Sequence, residues 1–169
     1  MTADAAPAAL PEADDDVVIS LRGVGVRRGT AVLLEDVDWD VELDERWVIL
    51  GPNGAGKTTL IQLLAAIMHP TSGRVRLLGE RIGAVDVFEL RPRIGLASAA
   101  LAGRIPNGET VSDIVVSAGY AVIGRWREAY GPADVRRAAD LLSALDAGHL
   151  ARRKFGTLSE GERKRVQIA

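Results

Sequence analysis

The sequence predicts an α/β fold in three parts: an antiparallel strand pair, a strand–loop–helix unit, and a helical segment. Three observations lead there. Residues 36–43 alternate acidic and apolar side chains. An apolar run at Trp47–Leu50 feeds a glycine-rich turn and then apolar residues at helical spacing. Beyond Ala99 the strand signals fade and helical stripes take over.

Met1 to Asp16 reads MTADAAPAALPEADDD, with no basic residue and no apolar core. It is therefore no signal peptide. Its charges are the acids Asp4, Glu12, Asp14, Asp15 and Asp16, a composition that predicts a disordered, solvated arm over residues 1–16. Val17–Val26 reads as the first strand. In the next segment Asp36, Asp38, Asp40 and Glu42 interleave with Val37, Trp39, Val41 and Leu43, as in a strand with one wet face. The acids read as a solvated face rather than a metal site, because no His or Asn joins the row. Trp39 falls on the inner face and is expected in the core.

Trp47-Val48-Ile49-Leu50 reads as a buried parallel strand. Thr58–Met68 reads as a helix, with Leu60, Ile61, Leu63, Leu64 and Ile67 at helical spacing. His69-Pro70-Thr71-Ser72-Gly73 stops it. Arg74–Leu78 and Arg93–Ala97 are further strand candidates, and Val111–Val116 and Ala129–Leu145 are helical. In the last, Val135, Ala138, Ala139, Leu142 and Leu145 form one stripe, with Pro132 near the start and Gly148 past the end.

Between the apolar run and its helix lies Gly51-Pro52-Asn53-Gly54-Ala55-Gly56-Lys57-Thr58-Thr59, which fits G-x-x-x-x-G-K-[ST]. Its glycines let the backbone take positive φ and approach a ligand closely. The freed N–H groups form an anion-binding nest, reinforced by the dipole of the following helix. Lys57 supplies a positive charge for β- and γ-phosphates and is the candidate catalytic residue. The Thr58 hydroxyl is the candidate Mg²⁺ ligand. Strand, loop and helix together point to a P-loop NTPase core that binds a nucleoside triphosphate with Mg²⁺.

The bulk numbers narrow the class. The 169 residues suit one domain, and no apolar run approaches the length that spans a bilayer. With the five acids of residues 1–16 set aside, 21 Lys and Arg face 18 Asp and Glu, a net of +3. That balance does not suggest a nucleic-acid partner. There is no Cys, which excludes disulfides and thiolate metal sites. His69 and His149 are isolated in the sequence and are expected near helix ends rather than on a metal.

A second motif, Leu158-Ser159-Glu160-Gly161-Glu162-Arg163-Lys164-Arg165-Val166, follows far downstream, with Ser159 lying 102 positions after Lys57. Locally Ser159-x-x-Glu162 is a capping box that opens a helix. With the phosphate loop upstream, the sequence resembles the ABC-type ATPases over Val17–Ala169. GPNGAGKTT matches their Walker A loop, and LSEGE matches their LSGGQ signature with Glu160 and Glu162 as departures. The resemblance implies a phosphate-loop core with an antiparallel β subdomain and a helical, signature-bearing subdomain over about residues 100–165. It implies a head-to-tail pair of cassettes, homo- or heterodimeric, in which Ser159, Gly161 and Glu162 meet ATP held by the partner. It also implies a membrane permease and a cytoplasmic location, peripheral at the inner face of the cell membrane.

Other positions depart from the family. Arg28 lies about where an aromatic residue usually stacks on adenine, and its planar guanidinium can stack instead. Ser98 occupies the place of the Gln that reaches Mg²⁺ and the attacking water. Asp44-Glu45-Arg46-Trp47 replaces the common Gly-Glu turn. Trp47 with Ser98 is similar to the cassettes of molybdate uptake and photorepair. A non-transport cassette in regulation, repair or translation, or a nonfunctional truncated one, is the alternative reading. A kinase or small GTPase shares the loop but does not explain LSEGERKR, and no Asn-Lys-x-Asp guanine motif occurs.

The family pattern continues past Ala169 into an apolar strand ending in Asp-Glu. Leu141–Asp146 and Ala31–Asp36 are the nearest substitutes, and both read as structural. Because a water-orienting carboxylate contributes orders of magnitude in rate, residues 1–169 alone are expected to release phosphate from ATP only slowly. A phosphate-release assay checks this; turnover equal to that of an intact cassette contradicts it.

Overall fold

The computed structural model describes residues 16–124 and 129–169. The acidic-arm reading, apart from Asp16, lies outside them. The chain divides into two compact units, residues 1–87 and 88–169.

The first unit is a four-stranded antiparallel sheet with one helix. Its strands are β1 (Val17–Arg28), β2 (Ala31–Glu42), β3 (Ser72–Leu77) and β4 (Glu80–Arg81), in the order β2-β1-β3-β4. Helix α1 (Lys57–Leu64) lies between β2 and β3 in the chain. In β2 the acids from Asp36 onward are exposed and the apolar residues turn inward, so the alternation sets the face. It begins at Asp36 for a physical reason. Asp36 adopts φ +48° at a register shift, where the pairing moves from Val24↔Val37 to Val26↔Leu34, so one extra residue on β2 resets the parity. A second bulge, on β1, centres on Gly23 at φ +57°.

Leu21, Val24, Val26, Val41, Leu63, Val75 and Leu77 form the buried side of this unit. Trp39 is half-buried and meets Trp47 edge-on, with ring centroids 5.3 Å apart. Glu45 holds the turn after β2 by accepting from the Glu42 N–H and from Trp47 Nε1, both at 3.0 Å. These two bonds hold its carboxyl below the usual Glu range. The β3–β4 hairpin turns on Leu78 and Gly79, with φ +52° and +82°, the signs that a two-residue type I′ turn requires.

The second unit contains α3 (Ala99–Ala102), α4 (Val111–Ala118), α5 (Pro132–Ala144) and α6 (Glu160–Ile168). The short helix α2 (Val87–Leu90) sits at the junction. The core of this unit gathers Val111, Ile114 and Val115 from α4, Ala138 and Leu142 from α5, Val166 from α6, and Leu150 and Phe155 from the intervening loop.

Several expectations are corrected. Trp47–Leu50 is irregular and not a strand, and Val48 and Leu50 are 80% and 86% exposed. Arg93 closes a 3₁₀ turn, and residues 94–97 are likewise irregular. Among the described residues neither run has a neighbouring strand, and an apolar run becomes a strand only by pairing. Helix α1 ends at Leu64, not Met68. Ala66 turns left-handed at φ +53°, and the Ile67 and Ala66 N–H groups donate back to Gln62 and Leu63, both at 3.0 Å. That is a Schellman stop built on alanine. Helix α5 ends the same way on Asp146 (φ +52°), with Ala147 donating to Leu142 at 2.8 Å and Asp146 to Ser143 at 3.1 Å. Gly148, expected as the stop, instead opens a 3₁₀ turn. On the α5 stripe Ala138 and Leu142 are buried, whereas Val135 and Ala139 are exposed.

Gly73 shows what the sheet demands of its backbone. It has φ +80°, and a Cβ there would collide with the Gly23 carbonyl. Gly79 has φ +82° with open space around it. Gly79→Ala is therefore expected to lose about 1–2 kcal/mol, the left-handed penalty alone. Gly73→Ala should lose roughly 2–5 kcal/mol, the same penalty plus overpacking. Urea denaturation of both variants checks the difference, and equal losses contradict it.

Candidate functional site

The glycine-rich loop enters α1 through two residues in the left-handed region, Gly54 (φ +85°) and Gly56 (φ +86°). Gly56 is also pressed onto β2. A Cβ there would lie 2.6 Å from the Leu33 carbonyl oxygen and 2.8 Å from Leu34 Cδ2. No other residue type fits both the dihedral and the space. Gly51, expected to share the positive φ, does not. Its part is close approach: a Cβ would sit 3.3 Å from that of Ala55.

Lys57 Nζ folds back over the loop and donates to the carbonyls of Gly51 at 2.6 Å and Pro52 at 2.7 Å. The Ala55 N–H closes a turn onto Pro52 at 3.2 Å. The ammonium is thus fixed above the loop by backbone oxygens, and no carboxylate among the described residues is bonded to it.

The start of α1 is built differently from the other long helices described. Helix α4 is capped by the Thr110 hydroxyl and carries Asp113 in its first turn. Helix α5 carries Asp134, and α6 carries the Ser159 cap with Glu160 and Glu162. Helix α1 has neither a side-chain cap nor an acid in its first turn. The N–H groups of Lys57, Thr58 and Thr59 have no intrahelical acceptor, and the positive end of the helix dipole is left uncompensated. An anion is the chemistry that such a terminus takes. Lys57 adds charge, and Thr58, the next residue, is exposed.

Arg28 ends β1 opposite Ala31, across the turn Gly29-Thr30, and is exposed. Gly56 packs two residues further along β2, at Leu33. At ~3.3 Å per residue the hairpin end therefore stands roughly 7 Å along the strand from the loop.

The remaining candidates lie in the second unit. Ser98 caps α3, its hydroxyl accepting from the Leu101 N–H at 3.1 Å. Ser159 opens α6 through the reciprocal box expected for it. The Ser159 N–H donates to Glu162 Oε2 at 2.7 Å, and the Glu162 N–H donates to the Ser159 hydroxyl at 3.4 Å. Gly161 has nothing within 4 Å of where a Cβ would stand.

Sequence reasoning missed Arg153. It donates to Glu162 Oε1 at 3.1 Å and to the Thr157 carbonyl at 2.7 Å. It sits in an irregular stretch, so no periodicity marks it. The stretch itself is held by backbone bonds, from Val111 to Arg153 and from Phe155 to Glu109, both at 3.0 Å. Arg163 also ties the motif down, donating to the Gly156 carbonyl at 3.0 Å and stacking over Phe155.

The model of the ABC transporter family matches residues 34–169, which include both motifs. The chain belongs to that family. It is 38% identical over 154 residues to the ABC transporter ATP-binding protein YlmA of Bacillus subtilis (strain 168), covering 90% of this chain and 58% of that protein. It is 36% identical over 146 residues to the hemin import ATP-binding protein HmuV of Hahella chejuensis, covering 86% and 54%. The chain thus spans less than two thirds of the length of these relatives. Its fold is similar to that of a dimeric bacterial ABC transporter cassette, with a TM-score of 0.70 at 24% identity over 89% of this chain and 67% of that one. It is similar also to cbiO1 of Clostridium perfringens, with a TM-score of 0.69 at 24% identity over 90% and 60%.

The cap of α6 generates a pH prediction. The Ser159 N–H, aided by the Ser159 hydroxyl and Arg153, holds the Glu162 carboxyl below the usual Glu range. A depressed carboxyl pKa stabilises the fold above the ordinary Glu value and ceases to do so as pH falls through the depressed one. Glu162→Gln should therefore flatten the acid limb of a stability-against-pH curve while leaving the alkaline limb unchanged. Ser159→Ala should lose about 1 kcal/mol at neutral pH. Thermal melts between acidic and neutral pH check both, and an unchanged acid limb in Glu162→Gln contradicts the assignment.

Proposed function

We propose that this chain is the MgATP-binding part of the motor subunit of an ABC-type system, and that its intact form hydrolyses ATP to drive transport. One observation carries the reading: the uncapped start of α1, seated on β2 through Gly56, with the Lys57 ammonium fixed over the loop by the Gly51 and Pro52 carbonyls. In the bound state Lys57 exchanges those carbonyls for phosphate oxygens, and the amides of Gly54 to Thr59 orient the β- and γ-phosphates. ATP supplies the phosphoryl group for transfer, and Mg²⁺ neutralises the charge that develops on it. Thr58 is the ligand this chain offers to Mg²⁺. No group of three His, Cys, Asp or Glu among the described residues is placed to hold a metal by itself. Arg28 stacks on the base.

Ser159, Gly161 and Glu162 are assigned to the ATP of a second cassette, Ser98 to the water-orienting position, and the membrane partner to a permease. Names of relatives such as the hemin import ATP-binding protein support an import role. None of the described helices is long and apolar enough to cross a membrane, which suits a subunit that works beside a permease. The transported substrate is chosen by that partner.

Isothermal titration of ATP into the chain tests the reading. Binding is expected, weakened at least about tenfold in Lys57→Ala, which corresponds to the loss of one charge-assisted contact of about 1.4 kcal/mol or more. Absence of binding, or equal affinity in Lys57→Ala, overturns it.

A further inference from the structure

The chain contains two asparagines, and both stand in the tripeptide Pro-Asn-Gly. Pro52-Asn53-Gly54-Ala55 is closed by the Ala55 N–H, which donates to the Pro52 carbonyl at 3.2 Å. Pro106-Asn107-Gly108-Glu109 is closed in the same way, Glu109 donating to Pro106, also at 3.2 Å. Asn53, Gly54, Asn107 and Gly108 are all exposed. The two turns thus share sequence, closure and access to water. They differ in what holds the peptide at their centre.

That peptide matters because asparagine followed by glycine converts itself. The glycine nitrogen, unshielded by a side chain and having lost its proton to hydroxide, bonds to the asparagine Cγ. The Cγ–N bond of the side-chain amide breaks and ammonia leaves, giving a five-membered succinimide. Water then opens either ring carbonyl, to aspartate or to isoaspartate. One water enters, one ammonia departs, and nothing is oxidised or reduced. To bring the two atoms together the Asn–Gly peptide must rotate, and the asparagine carbonyl swings with it.

At Asn107 this rotation is opposed. The Asn107 carbonyl accepts from the Gly156 N–H at 3.0 Å, and the Glu109 carbonyl accepts from Phe155 at 3.0 Å. Gly156 is also pressed against the reacting side chain: a Cβ there would stand 2.8 Å from Asn107 Cβ and 3.2 Å from Cγ. At Asn53 nothing comparable holds the peptide. Among the described residues the Asn53 carbonyl, its side chain and the Gly54 N–H make no hydrogen bond, and Lys57 takes the carbonyls of Gly51 and Pro52 instead. The closing bond of the turn does not restrain the peptide either, because type I and type II turns differ by the flip of that peptide alone. Gly54 has φ +85°, the left-handed region that favours glycine, so the backbone the loop requires keeps the attacking nitrogen unshielded.

We propose that Asn53 is a self-modification site: in the empty loop it converts to aspartate and isoaspartate, and the carboxylate so formed closes the cradle to phosphate. The effect on binding rests on the phosphate-loop reading above. A fixed negative charge among the loop amides takes the donors that a phosphate would use and repels it. A triphosphate held by the Gly54 N–H occupies the attacking nitrogen and fixes the peptide. The occupied loop is therefore protected, and the idle one ages.

The full chain, kept at mildly alkaline pH with and without MgATP and then digested with trypsin, tests this. Cleavage after Arg46 and Lys57 isolates Asn53, and cleavage after Arg104 and Arg125 isolates Asn107. Mass spectrometry follows the exchange of the amide NH₂ for OH in each peptide. Without nucleotide Asn53 is expected to convert at least about tenfold faster than Asn107, the factor that one ordinary hydrogen bond supplies. In urea the two rates should converge. MgATP should slow Asn53 alone, and ATP affinity should fall in step with the converted fraction. Equal rates at the two asparagines in the folded chain overturn the proposal, and so does ATP affinity that survives full conversion of Asn53. Selective conversion that MgATP does not slow upholds the site and counts against the phosphate-loop reading instead.

Discussion

The contact between Gly56 and the Leu33 carbonyl is the constraint on which the site depends. With a methyl group excluded there, the loop backbone lies directly on β2, and the first turn of α1 is aimed by the strand rather than by its own side chains. A helix start without cap or acid is poorly satisfied on its own. Its orientation is set by the one residue type whose backbone can approach that closely and still turn left-handed. The consequence is chemical: amide protons and an ammonium are gathered on one side of a loop that holds no carboxylate of its own. Stability that a capping side chain contributes in α4 and α6 is withheld in α1, which leaves those donors for a ligand.

The second unit solves the same problem in the opposite way. Ser159 and Glu162 close every free donor they can reach at the start of α6, and Arg153 holds the carboxylate in place. The Glu at position 162, a departure from the family signature, follows from this. A carboxylate at the third helical position answers both the Ser159 N–H and a neighbouring guanidinium, which a neutral amide does less strongly. Gly161 stays open beside it. The segment that presents this turn is fixed by backbone pairing between residues 107–112 and 151–156, so the motif is carried on structure rather than on a free loop.

Both motifs were legible in the sequence because each is a local rule. A glycine spacing encodes dihedral freedom, and Ser-x-x-Glu encodes a reciprocal cap. The β2 face was legible for the same reason, and even its starting point at Asp36 marks the bulge. What failed were the elements whose form depends on a neighbour. Trp47–Leu50 and Arg93–Ala97 have strand composition, yet a strand exists only against a partner, and no described segment pairs with them. The helix ends at Ala66 and Asp146 escaped because the stops were expected later, at the turn His69-Pro70-Thr71-Ser72-Gly73 and at Gly148. Ala66 and Ala147 are buried at those turns, so packing rather than intrinsic preference sets where the chain turns.

The central claim is that the amides entering α1 are an anion cradle. Backbone amide resonances followed by ¹H–¹⁵N NMR during an ATP titration test it most directly. The account predicts that the largest shifts fall on Gly54, Gly56, Lys57 and Thr58. Their saturation by ATP with those four signals unmoved, and the changes located elsewhere on the chain, would contradict it.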